Sequence, residues 1–233
     1  MTDQQALARV LRKFVRTMAD SYDVTEALHD LAESVVEVLG ASDAGVALLD
    51  EGRLRYVSAT SDAAADAERV QERLQDGACM ESIRIDGPVV VADLRDEHER
   101  WPEYAPAVEA SGFRAVLGLP LAIGDQVVGS LDAYCTEPQA WDDDTVEAAR
   151  VLADIGAAFV VNATQLAGHR RTEEHLLEIL NASFTTEQAT GVLAARLGIT
   201  TTEASDRLRD AAHRQDVQLA ELAQRVIEGY TPD

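Results

Sequence analysis

Few side chains in this sequence have the type and spacing that chemistry requires. Cys79 and Cys135 lie far apart, in a pattern that is neither a disulfide framework nor a zinc-binding one. Reduced thiols packed as small hydrophobes are expected, because a redox role needs one accessible thiolate with a lowered pKa. Of the histidines at 29, 98, 169, 175 and 213, only His98 falls in a predicted loop, where haem ligation is the weakest of the readings. Asp142, Asp143 and Asp144 open a helical pattern and suit the positive end of a helix better than a metal. The chain has no Walker loop, Gly-x-Ser-x-Gly elbow, His-Glu-x-x-His or paired Cys-x-x-Cys. No catalytic residue and no metal site is therefore expected.

The charge balance narrows the partners. Across 233 residues, 20 Lys and Arg stand against 42 Asp and Glu, a net charge of −22 with a single lysine, Lys13. Residues 1–168 carry −18 of this and residues 169–233, with seven arginines, carry −4. Such a chain repels phosphate backbones at long range, so a nucleic-acid role survives only on a local cluster of arginines. At 46% hydrophobic and 27% charged the composition is globular, while 5% aromatic leaves the core to Ala, Val, Leu and Ile. No run approaches the ~18 uncharged apolar residues of a membrane span, and the opening MTDQQALARV has no apolar signal-peptide centre, so a cytoplasmic protein without membrane contact is expected.

The elements that must position these residues follow from periodicity. Residues 4–19 read as an amphipathic helix, and Thr25 is the expected N-cap of a second that stops at Gly40. Residues 44–50 and 54–59 read as a hairpin, and 62–75 as an exposed, Ala-rich helix. A short helical turn at 79–83, a buried strand at 89–94 and a helix from Tyr104 to Ala110 come next. Strands at 113–124 and 126–135 meet at Gly124-Asp125, a strong tight-hairpin signal. From Asp142 a helical pattern runs past Gly156 and Gly168 to Phe184, long enough to transmit position between domains or to pair with its copy in a homodimer. Three helices close the chain: one at 186–197, a second capped within Thr200–Thr202, and a third capped by Asp216.

In this order the elements resemble a GAF sensor domain. The likeness is carried by Asp76-Gly77-Ala78-Cys79, Gly87-Pro88-Val89-Val90-Val91-Ala92-Asp93-Leu94, Arg100-Trp101-Pro102, Gly118-Leu119-Pro120-Leu121 and Val127-Val128-Gly129-Ser130-Leu131. The tail resembles an ANTAR (antiterminator RNA-binding) domain through Glu187-Gln188-Ala189-Thr190-Gly191-Val192-Leu193-Ala194-Ala195-Arg196, Glu203-Ala204, Leu208-Arg209 and Leu219-Ala220-Glu221-Leu222-Ala223. It departs from that pattern at Thr190 (commonly lysine), Ser205 (a bulky apolar residue) and Ala194 (methionine). The fold implied is α+β: an antiparallel-sheet GAF domain over 1–141, a helical connector and coiled-coil candidate over 142–183, and an all-α three-helix ANTAR bundle over 184–233.

The resemblance implies a non-catalytic, signal-responsive antiterminator that binds paired stem-loops in mRNA leaders, with no DNA partner. Unstacked loop bases are what a helical bundle can read with arginines. The RNA-facing candidates are Gln188, Thr190, Arg196, Arg209 and Arg214, with Arg207 and His213 behind them, while Arg170 and Arg171 solubilise the connector. Ala189, Gly191 and Ala195 read as close-packing positions. In the GAF part, Cys79, Trp101, Tyr104 and Phe113 are the candidates for lining a pocket that holds a small-molecule effector; the bland alternative is that they fill core. Two other functions stay open: a protein-interaction or dimerisation module with a degenerate RNA face, and a thiol redox enzyme of GAF fold in which Cys79 and Cys135 would have to meet.

Overall fold

The computed structural model describes residues 4–19, 22–166 and 172–232, which fall into two compact units, 1–170 and 171–233. In the first, helices α1 (Gln4–Ala19) and α2 (Val24–Leu39) precede a hairpin of β1 (Asp43–Asp50) and β2 (Arg53–Ala59). Helices α3 (Asp62–Leu74) and α4 (Ala78–Ile85), strand β3 (Val89–Val91), a 3-10 turn at Leu94–Glu97 and α5 (Tyr104–Ala110) follow. Strands β4 (Ala115–Ile123) and β5 (Gln126–Cys135) then lead into α6 (Asp143–Leu166). The five strands form one antiparallel sheet in the order β2-β1-β5-β4-β3.

Helices α2 and α6 cover one face of this sheet, and α3 and α4 the other, with α5 packed on α3. Period-two alternation assigns the side chains. On β5, Ser130, Asp132 and Tyr134 point toward α3 and α4, whereas Leu131, Ala133 and Cys135 point toward α2 and α6. Gly156 of α6 comes so close to the sheet that a Cβ there would lie 2.6 Å from Leu31 and 3.0 Å from Leu121. Leu152, Ala153, Ala157, Phe159 and Val160 are buried in this unit, so the helix opening the expected connector contributes to the first unit's core.

Local details correct several expectations. Asp23, not Thr25, caps α2, accepting from the Glu26 N–H; Thr25 lies buried one residue inside. Helix α3 is not simply exposed, because Ala64, Ala67, Glu68 and Gln71 bury its inner stripe. The hairpin at Gly124-Asp125 forms as expected, with Gly124 at φ +59°. Asp142 caps α6 by accepting from the Thr145 N–H. The continuity expected across residues 167–171 lies outside the described residues, as do His169, Arg170 and Arg171.

The second unit packs α7 (Thr172–Leu197) against α8 (Thr201–Gln215) and α9 (Leu219–Ile227) around Ala189, Leu193, Ala204, Leu208, Ala211, Leu222, Ala223 and Val226. Thr200 closes a reciprocal capping box with Glu203. Asp216 does not start α9. It sits at φ +54° as the left-handed C-cap of α8, and Gln218 precedes α9. Among the described residues, no helix is long and apolar enough to cross a membrane.

Candidate functional site

The polar chemistry of the first unit is concentrated under the sheet. Glu68 and Gln71, one helical turn apart on α3, face Asp132 and Tyr134 of β5, with Cys79 entering from the first turn of α4; all five are fully buried. Gln71 is the hub. Its Nε2 faces the Asp132 carboxylate, the Tyr134 hydroxyl at 3.1 Å and Cys79 Sγ at 3.0 Å, while its Oε1 accepts from the Cys79 N–H at 2.9 Å. The Tyr134 hydroxyl reaches Glu68 at 2.9 Å and Asp132 at 3.2 Å, and the Cys79 thiol reaches Asp132 Oδ2 at 2.6 Å. Three glycines make the room. A Cβ on Gly45 would collide with the Glu68 carboxyl, one on Gly118 would lie 2.9 Å from Asp132 Oδ1, and one on Gly77 2.7 Å from the Tyr104 ring.

This environment opposes ionisation. Burial, and then the Asp132 charge, push Glu68 well above the ordinary carboxylate range. Burial raises Asp132 too, against hydrogen bonds from Cys79, Gln71 and Tyr134. Burial, followed by both carboxylates, holds the Cys79 thiol well above its usual range, the reverse of an activated nucleophile. Cys135 points to the opposite sheet face, so the two thiols do not share a site.

Of the expected pocket residues, only Cys79 belongs to this cluster as a hydrogen-bonding member. Trp101, Tyr104 and Phe113 are at most 2% exposed and fill core. Trp101 meets Tyr104 edge-on at 5.4 Å, and Phe113 stacks on Tyr134 at 4.8 Å. His98 sits half-exposed with its Nε2 against the Glu109 carboxyl. Sequence reasoning missed Glu68, Gln71, Asp132 and Tyr134. The available signal was polar residues on otherwise apolar faces: Asp132 inside strand 126–135, and Glu68 and Gln71 on the alanine stripe of α3.

In the second unit two of the candidate RNA residues, Arg196 and Arg209, are engaged within the fold. Arg196 donates to the backbone carbonyls of Val226 at 2.9 Å and Tyr230 at 3.2 Å, tying α7 to the end of α9. Arg209 pairs with Asp206 at 3.4 Å, and Arg225 stacks on the Tyr230 ring. Thr190 is half-buried and returns its hydroxyl to the Thr186 carbonyl. Gln188 and Arg214 are exposed, as are Arg207 and His213 on α8. Of the three close-packing positions only Ala189 is buried. Gly191 and Ala195 are exposed with Phe184 and Gln188 on the outward side of α7, and a Cβ on Gly191 would meet nothing within 4 Å.

Comparison with known proteins decides the family. The GAF domain model matches residues 23–159, spanning the sheet and its covering helices. The chain belongs to the GAF domain family. Its GAF domain is followed by an ANTAR domain matching residues 174–227. Together the two support a signal-sensing, RNA-binding antiterminator. Among solved structures, the GAF domain of a phosphoenolpyruvate-protein phosphotransferase from Acinetobacter is similar at 18% identity and TM-score 0.56, covering 73% of this chain and 100% of that one. The corresponding domain from Coxiella burnetii gives 16% and 0.55, covering 71% and 98%. Free methionine-R-sulfoxide reductase from Neisseria meningitidis, in complex with its substrate, gives 20% and 0.52, covering 71% and 96%. At these identities the likeness is one of GAF fold. The comparison with curated proteins finds none that matches.

Proposed function

We propose that the chain is a cytoplasmic, non-catalytic regulator whose GAF domain senses a signal and whose ANTAR domain binds stem-loops in mRNA leaders, so that transcription continues past a competing terminator. A homodimer paired through the helices leading into the ANTAR domain is the working form. The observation that carries this reading is the ANTAR match on a three-helix unit whose α7 turns an uncharged, small-residue face outward at Gly191 and Ala195. Such a surface admits a nucleic-acid strand or a splayed base at close range. Arg207 and Arg214, seven residues apart on α8 and both exposed, supply phosphate-facing charge from one side of that helix.

Mobility shift of a two-stem-loop leader RNA by the full-length chain, at fixed salt, tests it. Gly191→Glu places an anion on the open face where space exists for it, and abolishes the shift with no loss of helical circular dichroism. Arg209→Ala with Arg214→Ala weakens binding several-fold, mostly through Arg214. Equal affinity of all variants would remove the reading. A second reading, a protein-interaction module, is favoured by Arg196 and Arg209 being engaged within the unit; a folded chain that shifts no such RNA supports it.

A further inference from the structure

The GAF cluster has an unresolved polar balance. Glu68, Cys79 and Asp132 are three acids with no water-accessible surface, and every side-chain partner the structure gives them is a hydroxyl, an amide or another acid. The donors within reach, the Tyr134 hydroxyl, the Gln71 amide and the Cys79 thiol, are directed at Asp132 Oδ2, at Glu68 or at one another. One acceptor remains unserved. Asp132 Oδ1 is buried without a hydrogen-bond partner, and the buried Tyr104 hydroxyl makes no side-chain hydrogen bond. Buried orphans of this kind are costly, and a cation satisfies carboxylate oxygens as well as a donor does.

We propose that Glu68, Cys79 and Asp132 form a binding site for one divalent transition cation of the zinc or iron(II) class. Their ligand atoms, one sulfur and two carboxylate oxygens, all lie within 4.8 Å of one another. Bond lengths of about 2.3 Å to sulfur and 2.0–2.2 Å to oxygen put two ligands of one ion at most about 4.5 Å apart. Cys79 Sγ and Glu68 Oε2 stand 3.8 Å apart, already at that spacing. Cys79 and Asp132 part slightly as the ion replaces their direct hydrogen bond, and the unserved Asp132 Oδ1 gives the ion a second oxygen. Binding sends the thiol proton and the carboxyl protons to solvent. The thiolate selects a borderline-soft ion over magnesium or calcium, which prefer an all-oxygen shell. Gly45 and Gly118 leave room for the Glu68 and Asp132 carboxyls. The ligands come from α3, α4 and β5, so the ion would clamp both covering helices to the sheet. This site stands whether or not the ANTAR domain binds RNA.

Because the site is buried, the full chain is refolded from denaturant in reducing buffer with Co²⁺ as the probe, then desalted. The expected result is one Co²⁺ per chain by elemental analysis, with a near-ultraviolet thiolate-to-cobalt band and a raised melting temperature. Cys79→Ser loses the band while Cys135→Ser keeps it, and Glu68→Gln and Asp132→Asn each weaken binding tenfold or more. Cobalt held without the band, or a band that survives Cys79→Ser, overturns the proposal. Should Cys79→Ser fail to fold, Glu68→Gln decides alone, because unchanged cobalt affinity in that near-isosteric variant overturns the site equally.

Discussion

Gly129 and Gly191 each sit inside a regular element, and their surroundings are opposite. On β5, a Cβ at Gly129 would run into the backbone oxygen of Ala47 and lie 3.0 Å from Leu48, because β1 passes directly across it. On α7, a Cβ at Gly191 would meet nothing. The GAF unit uses glycine to bring backbone and buried carboxyls together at Gly45, Gly118 and Gly129. The ANTAR unit accepts the conformational cost of a mid-helix glycine with no packing return. A residue that destabilises its helix and packs against nothing points to contact from outside the unit.

Substitution should separate the two cases. Gly129→Ala forces strand β5 from β1, where the opposing atom is backbone that cannot rotate away; a loss of about 3 kcal/mol in the GAF unit is expected from denaturant unfolding of the full chain. Gly191→Ala should instead stabilise the ANTAR unit by about 0.5–1 kcal/mol, with more helix and weaker RNA binding. Shifts of opposite sign at the two positions, the larger at Gly129, sharpen the contrast; a destabilising Gly191→Ala breaks it.

Between these in size lies a pH effect confined to the cluster beside Gly45 and Gly118. Glu68, Asp132, Cys79, Tyr104 and Tyr134 all hold their protons more tightly folded than unfolded. In the ordinary carboxylate range the unfolded chain sheds protons that the folded one keeps. Stability without a bound cation therefore falls as pH rises from there through the folded pKa values of Glu68 and Asp132, by roughly 1 kcal/mol per pH unit for each proton retained. Glu68→Gln removes one such proton and should flatten the curve measured by thermal melting between pH 5 and 8. An unchanged slope would place the titration elsewhere.

The elements were legible where one local rule decides them. Gly124-Asp125 gave a hairpin, Gly40 a helix stop, and residues 104–110 a helix with the expected bounds. Legibility failed where neighbouring residues offer the same chemistry. Asp23 and Thr25 can both cap a helix, and Asp216 can begin one or end one in the left-handed region. Helix α3 reads as exposed because its inward stripe is alanine, glutamate and glutamine, a composition that resembles surface until a polar cluster is found to receive it. The candidate site was the least legible. Its members at 68, 71, 79, 132 and 134 belong to three elements that only the sheet order brings together. Likewise nothing in the spacing of Arg196 reveals that its partners are carbonyls 30 and 34 residues downstream.

That grip of Arg196 on the end of α9, with Arg225 laid on Tyr230 and Arg209 beside Asp206, leaves few guanidiniums to displace counterions when RNA arrives. Raising potassium chloride should then weaken the complex on a shallow gradient, set by roughly two phosphate contacts per chain at about 0.7–0.9 log units each per tenfold salt. Under the proposed function, so acidic a chain would select by hairpin contour and spare itself the scavenging of bulk RNA.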